Sequence, residues 1–372
     1  MKKIAIIGAS YLQLPLVKKA KELGLYTLCF AWAEGAVCKD EADEFFPISI
    51  VEKEQILSIC QGKQIDGICT IASDVAAPTV AYVAEKMGLM GNSYDAAVTA
   101  NNKFLMRNAF SKAGVLCPKY QIVTSLDEIN NMDCSFPLIV KPTDRSGSLG
   151  ITKVERLEDL QNAVETAVRC SFKHEAIIEE YVEGREISVE FISYHGEHHP
   201  LQITDKVTTG APHFVELEHH QPADLTRGQF DEIYDLTKKA LDALGVTNGA
   251  SHSEYKITEE GKIYVMEIGA RMGGDFIGSD LVKLSTGYDF LKGVIDVALG
   301  RFEEPVFGEP HHAGVYFLCE ETKHLQTIIK EAKLPQIIRA EITDEALRPV
   351  RCSADRSGFF IYQSDERIRL NK

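Results

Sequence analysis

The stretch that most restricts the fold is an apolar run that stops abruptly on small residues. Ile4-Ala5-Ile6-Ile7 is followed by Gly8-Ala9-Ser10. An unbroken apolar run suits a strand covered on both faces, and the small residues suit a tight turn into a helix. A helix carrying Leu16, Val17, Ala20 and Leu23 follows and closes at Gly24. Further strands are expected at Tyr26 to Phe30 and Ile65 to Ile71, with a helix around Ile56 to Cys60 between them. This alternation predicts a doubly wound parallel-sheet α/β unit over residues 1–100. Loops at the C-terminal ends of such strands face ligands, which points to Ser10 and to Ser73 and Asp74. Plain turn residues would read the same way. The second and third glycines of a dinucleotide fingerprint are absent after Gly8, which counts against NAD.

At 372 residues the chain exceeds one ordinary core, so two or three packed units are expected. A net charge of −15 argues against a nucleic-acid partner. It leaves anionic nucleotides open, because a few local lysines override the global field. Nine cysteines without a C-x-x-C pair read as reduced thiols, with neither a disulfide framework nor a metal cluster. The N-terminal run is too short for a secretory segment, and no apolar run is long enough for a bilayer. The expectation is a cytoplasmic protein with no membrane partner.

Residues 251–274 hold the chemistry. Ser251 to Ile257 and Ile263 to Ile268 read as two strands joined at Glu260-Gly261, a turn dipeptide. Counting outward from that turn sets Glu254 opposite Glu267. Opposed carboxylates destabilise a strand pair unless a cation lies between them, and a hard ion such as Mg²⁺ takes carboxylate and phosphate oxygens. Arg271 follows at the strand exit, where it could meet a phosphoryl group or a carboxylate. A solvated hairpin is the plainer alternative.

Other segments add to this. Asn101 is expected to cap a helix with Phe104, Leu105, Ala109 and Ala113 on its apolar face, which sets Lys103 in the first turn. Phe136 to Val140 form an apolar strand ending at Lys141-Pro142. The loop Thr143-Asp144-Arg145-Ser146-Gly147-Ser148-Leu149-Gly150 after it suits a phosphate clamp, though it is not a Walker loop. Ala176 to Ile178 lead into Glu179-Glu180-Tyr181-Val182. Beyond the Gly184 turn, Glu186, Ser188 and Glu190 share one strand face, and Ile187, Val189 and Phe191 the other. Residues 205–222, with Lys206, Glu216, His219 and His220, show no regular period and read as a substrate-facing loop, not a zinc site. A helix with Phe230, Ile233, Thr237, Ala240, Leu241 and Leu244 ends at Gly245. Strands at Gly314 to Cys319 and Gly358 to Gln363 suggest a small α+β closing module.

Lys103, Lys141 with its Ser/Gly loop, the Glu179-Glu180-Tyr181-Val182 segment, and Glu254, Glu267 and Arg271 occur in an order that resembles the ATP-grasp superfamily. Within it, the chain is similar to carboxylate–amine ligases: L-amino-acid (dipeptide) ligases, carboxyaminoimidazole ribonucleotide synthetase and the large subunit of carbamoyl-phosphate synthetase. The resemblance implies a pre-ATP-grasp domain (1–100), a small lobe (101–185), a large lobe with the metal hairpin (186–300) and a C-terminal module (301–372). It implies ATP and Mg²⁺ as cofactors, with Mn²⁺ as a substitute. Lys103 and Lys141 would hold the α- and β-phosphates, with Ser146, Gly147, Ser148 and Gly150 in a closing flap. Glu179, Glu180, Tyr181 and Val182 would flank the adenine and Glu186 the ribose. Glu254 and Glu267 would ligate the metal. Arg271 and Lys141 would be catalytic, and Ser73, Asp74, Lys206, Glu216, His219, His220 and Arg271 would meet the substrates. The implied reaction joins a small-molecule carboxylate to an amine through an acyl phosphate, releasing ADP and phosphate. A bicarbonate-activating or carbamoyl-phosphate-synthase-like enzyme and a non-catalytic nucleotide-binding module remain alternatives, and a homodimer is left open. One departure stands out. Gly269 lies where the family commonly has an asparagine that contacts metal.

Overall fold

The computed structural model describes residues 1–124, 128, 135–145, 149–331 and 334–370. The chain begins with β1 (Lys3–Ile7), α1 (Leu14–Glu22), β2 (Tyr26–Phe30), β3 (Glu44–Phe46), α2 (Lys53–Lys63), β4 (Gly67–Cys69) and α3 (Ala77–Met87). Their strands form a parallel sheet of order β3-β2-β1-β4. The turn after β1 closes on itself: the Gln13 amide oxygen accepts from the Ser10 N–H (3.0 Å) and hydroxyl (2.7 Å), and its NH₂ donates to the Ile71 carbonyl at 2.7 Å. Gly8 sits at φ 103°, and a side chain there would meet Gln13 at 2.9 Å. A glutamine side chain thus fills the turn that a dinucleotide-binding loop leaves open for a pyrophosphate.

Two helices follow, α4 (Tyr94–Ala100) and α5 (Lys103–Ala113). The cap of α5 is Asn102, whose side chain accepts from the Leu105 N–H at 3.0 Å, while the expected cap, Asn101, ends α4. The inward face of α5 also differs from expectation. Lys103, Met106, Arg107 and Phe110 are buried, and Phe104, Leu105, Ala109 and Ala113 are half-buried. Apolar spacing misplaced the face because two cations lie in the buried stripe, each with a carboxylate partner.

Next come β5 (Tyr120–Val123), β6 (Leu138–Pro142), β7 (Thr152–Val154), α6 (Leu157–Cys170) and β8 (Ala176–Glu180), giving an antiparallel sheet of order β5-β8-β6-β7. The remaining elements are β9 (Arg185–Tyr194), β10 (Glu197–Thr208), β11 (Glu216–Gln221), α7 (Arg227–Leu244), β12 (Gly249–Ile257), β13 (Ile263–Gly269), α8 (Val282–Thr286), α9 (Phe290–Ala298), β14 (His312–Leu318), α10 (Leu325–Glu331), β15 (Ile337–Ile342) and β16 (Gly358–Ser364). Their strands make one eight-stranded sheet of order β13-β12-β9-β10-β11-β14-β16-β15. Residues 301–372 therefore extend the large sheet rather than building a sheet of their own.

Period-2 alternation assigns the two faces of the large sheet. Ile187, Val189 and Phe191 join α5 and α7 in one apolar core. Ser188 and Glu190 point to the other face and are fully buried, so that face is covered rather than solvated. The N-terminal sheet divides in the same way. Ala5 and Ile7 pack with Ile56, Cys60, Val83 and Ala84 from α2 and α3. Ile4 and Ile6 pack with α1 and with Val294, Ile295 and Ala298 of α9.

The stretch 205–222 is mostly strand. Lys206 lies in β10, and Glu216, His219 and His220 lie in β11, with a connection only at 209–215. Both faces of this pair carry polar residues, and a bulge interrupts the ladder at Val207/Thr208. These two features hide the period-2 signal.

Candidate active site

A cleft between the small and large antiparallel sheets encloses about 850 Å³ including its mouth. β6 delivers Lys141 to it and β8 delivers Glu179. The Lys141 ammonium lies 2.7 Å from Glu179 Oε2, and Arg107 of α5 lies 2.8 Å from Oε1. Arg107 is fully buried and donates from Nη2 to the Met266 carbonyl of β13 at 2.6 Å. Burial pushes the Glu179 carboxyl up, but the Arg107 and Lys141 charges outweigh it and hold the group below its ordinary value. Burial pulls Lys141 down, and Glu179 offsets that only in part. Lys103 donates to the Arg145 carbonyl at 2.7 Å and lies 3.0 Å from Glu267 Oε1. Lys141 thus lines the cleft directly, and Lys103 reaches it from a different element through Glu267.

The β12–β13 ladder pairs Glu254 with Glu267. Next to the turn it pairs Ile257 with Ile263, one residue off the count from Glu260-Gly261, and a bulge between Glu254 and Tyr255 restores the register. Lysines sit against both carboxylates, Lys206 at 2.5 Å from Glu254 and Lys103 against Glu267. Burial raises the Glu254 carboxyl, yet Lys206 and His252 overcome this and bring it well below its usual range. Burial alone would lower Lys206, but the Glu254 and Glu216 carboxylates raise it above its ordinary value. His252, two residues before Glu254 on the same strand face, is hydrogen-bonded through Nδ1 to the buried Glu190 carboxylate. Burial opposes its charging, but Glu190 prevails and lifts it to about 9. Among the described residues no cluster of three or more His, Cys, Asp or Glu side chains has metal-binding geometry. The opposed hard oxygens of Glu254 and Glu267 fit a Mg²⁺ ion that takes its other ligands from phosphate and water.

Elsewhere in the cleft, the ammonium groups of Lys153 and Lys256 lie over the Tyr181 ring, 4.2 Å and 5.1 Å from its centre. Glu186 lines the cleft and pairs with Lys256 at 3.2 Å. The Glu180 N–H donates to the Lys119 carbonyl at 3.0 Å, whereas the Val182 N–H has no backbone partner among the described residues. Gly150 faces Pro142 and Cys170, away from the cleft lining. Ser146, Gly147 and Ser148 lie outside the described residues.

A second cavity, about 1010 Å³ with its mouth, adjoins the first and shares Lys206, Glu216 and Glu254 with it. Asp74 reaches it from the N-terminal sheet and grips Arg271 through two contacts of 2.7 Å. Ser73 is not among the lining residues. His219 is buried on this wall, 4.0 Å from Asp275, and neither ring nitrogen has a hydrogen-bond partner among the described residues. Asp275 is held by Arg356 through two contacts of 2.8 Å. His220 departs from expectation. It points to the opposite face of β11, where it bonds Tyr362 and Glu218, each at 2.9 Å. Consecutive strand residues face opposite ways, so only one of the two histidines can meet this cavity.

Sequence reasoning missed Arg107, Asp275, Arg356 and Tyr11, which also lines the second cavity. His252 carried a usable signal, its two-residue spacing from Glu254. Arg107 carried only its four-residue spacing from Lys103, which is too common on helices to single out a site.

Residues 134–280 match the family described as the ATP-grasp domain. The alanine–anticapsin ligase of Bacillus subtilis (strain 168) is 30% identical over an alignment of 268 residues that covers 66% of this chain and 56% of that protein. The chain therefore spans little more than half the length of this relative. Among solved structures, an L-amino acid ligase from Bacillus licheniformis superposes with a TM-score of 0.80 at 23% identity, covering 98% of this chain and 94% of the other. An ADP complex of N5-carboxyaminoimidazole synthetase from Staphylococcus aureus gives a TM-score of 0.80 at 17% identity, with coverage of 98% and 94%. These likenesses fix the architecture as an ATP-grasp fold, within which residues 134–280 match the ATP-grasp domain family.

Proposed function

We propose that this protein is an ATP-dependent carboxylate–amine ligase that joins two small molecules, amino acids among them, and releases ADP and phosphate. The observation that carries this reading is the shared wall between the two cavities. Lys206, Glu216 and Glu254 face the nucleotide cleft on one side and the second cavity on the other. A phosphoryl group leaving the cleft arrives beside whatever the second cavity holds.

Lys103 and Lys141 take the phosphates in this reading, exchanging their carboxylate partners for phosphate oxygens. Glu254 and Glu267 would hold Mg²⁺, which would supply charge neutralisation on the transferring group; Mn²⁺ would suit the same oxygen donors. The substrate carboxylate attacks the γ-phosphorus in line, and Arg271 and Lys206 balance its developing charge, so catalysis is positioning plus electrostatics. The amine then displaces phosphate from the acyl phosphate. Glu216 and His219 flank that step in the second cavity, and His219 is suited to accept a proton. Burial pulls the imidazole below its ordinary pKa, against the pull of Asp275, and so favours its neutral form. The lobes of this reading are residues 101–185 and 186–300, preceded by 1–100 and followed by 301–372. Among the described residues no helix is long and apolar enough to cross a membrane, which fits small-molecule work in the cytoplasm.

Measuring nucleotide products with single amino acids, amino-acid pairs and bicarbonate tests the proposal. ADP and phosphate should form only with a carboxylate present, and faster when a suitable amine is added. AMP and pyrophosphate as products would refute phosphoryl transfer. ADP formed on bicarbonate alone would move the enzyme to the bicarbonate-activating class.

A further inference from the structure

Arg271 sits between two glycines, and each gives way to a carboxylate. A Cβ on Gly269 would lie 2.5 Å from Asp74 Oδ1 and 3.1 Å from Arg271 Nε. A Cβ on Gly273 would lie 2.8 Å from both Glu190 Oε1 and His252 Nδ1. Real Cβ atoms do not come that close to such neighbours, so neither position admits a side chain while the carboxylates stay where they are. Asp74 comes from a different sheet, nearly two hundred residues earlier, and the backbone fixes its placement. Ile71 forms a parallel bridge with Met272, and the Ala72 N–H donates to the Met272 carbonyl at 3.0 Å. The Gln13 side chain holds the Ile71 carbonyl from the other side at 2.7 Å. Asp74 is therefore delivered to Arg271 by a bonded path that starts in the first loop of the chain.

The contacts also determine what Arg271 can still do. A guanidinium has five N–H donors. Asp74 takes Nε–H and one on Nη2, each at 2.7 Å, and the Met272 carbonyl takes one on Nη1 at 3.4 Å. Among the described residues, one N–H on each terminal nitrogen is left without a partner, the pair that forms a fork for a carboxylate or phosphoryl group. Arg271 lines the second cavity beside Glu254.

We infer that Asp74 is a positioning residue for Arg271. It locks the guanidinium so that only its end-on fork faces the second cavity, and the side chain missing at Gly269 is the room that Asp74 occupies. The N-terminal sheet thus completes the phosphoryl-binding site, and the glycine that departs from the family pattern marks where it enters. This rests on the ligase reading for the identity of the group bound, but the coupling of residues 74 and 269 does not.

The test compares the full-length protein with Asp74→Asn, Asp74→Ala, Gly269→Ala and the Asp74→Ala/Gly269→Ala double variant. Melting temperature reads the steric claim. Gly269→Ala should lower it, and the double variant should lie no lower than Asp74→Ala alone. Additive losses would overturn the claim that Gly269 exists to admit Asp74. Binding of inorganic phosphate in the presence of MgADP reads the positioning claim. Asp74→Ala and Gly269→Ala should each weaken phosphate binding about tenfold, and the double variant by the same tenfold, since both act by releasing one guanidinium whose charge-assisted contacts hold the anion. Asp74→Asn keeps the volume and one acceptor, so it should fold normally and fall between wild type and Asp74→Ala. MgADP affinity should not move in any of them. Phosphate affinity unchanged in all the variants would overturn the positioning role. A wild-type protein that fails to take up MgADP would count against the ligase reading and the positioning role together, while the melting temperatures would still decide the steric coupling.

Discussion

Glu267→Gln is expected to lower the rate of ADP formation about 10²–10³-fold, the range seen when one preorganised electrostatic group is lost from an active site. The substitution keeps the side-chain volume and removes one negative charge from the pair that Glu267 forms with Glu254. Glu267 is partly exposed at the cleft and has Lys103 as its ion partner at 3.0 Å. The fold should therefore survive, and circular dichroism and the melting midpoint should stay near wild type. Raising Mg²⁺ should recover part of the rate, because the remaining carboxylate binds the ion more weakly. A variant that turns over at the wild-type rate in ordinary Mg²⁺ would remove Glu267 from the metal site and leave the hairpin a structural element.

Arg107→Met is expected to destabilise the protein by about 3–5 kcal/mol, the usual result of removing one member of a buried ion pair. Arg107 is wholly buried, with Glu179 on one side and the Met266 carbonyl on the other. Methionine nearly fills the space but leaves the Glu179 carboxylate with Lys141 alone and the carbonyl without its donor. The effect should show as a lower urea midpoint at an unchanged denaturant slope. A second consequence should appear in any variant that still folds. Lys141 would hold Glu179 undivided, so its ammonium should titrate higher and exchange less readily onto phosphate, seen as weaker ATP binding. A stability loss below about 1 kcal/mol, in the range of exposed pairs, would show that the buried network does not hold the lobes together.

What the sequence made legible was whatever repeats with a structural period or stands at a fixed offset. The parallel N-terminal sheet followed from continuous apolar runs, and the inward face of α7 from its 3.6-residue spacing. The pairing of Glu254 with Glu267 was legible for a less secure reason. The turn is wider than the Glu260-Gly261 dipeptide suggests, and a bulge at Met266 cancels the offset. A correct register was reached by two departures of opposite sign. Local pattern could not reach the contacts whose partners are far apart in sequence. Asp74 and Arg271 are 197 positions apart, and Lys103 and Glu267 are 164 apart. Charges inside α5 and β11 also broke the apolar periodicity by which buried faces are found. Polar residues on a buried face look solvated until the opposing wall is known.

Helix α9 has one more consequence, for how the chain can be divided. It packs on α1 and β4 of the N-terminal sheet, while Ile192, Leu201 and Ala250 of the large sheet close the same core from the far side. One face of the first sheet is therefore sealed in good part by a helix synthesised more than two hundred positions after its last strand. A ribosome that has released only the first hundred residues presents Ile4, Ile6, Leu16 and Val17 without their cover. The N-terminal unit cannot be exchanged between relatives as a free-standing cassette. Its natural border in three dimensions includes Phe290–Ala298, and grafts or truncations that respect only the linear boundary would carry an open apolar face.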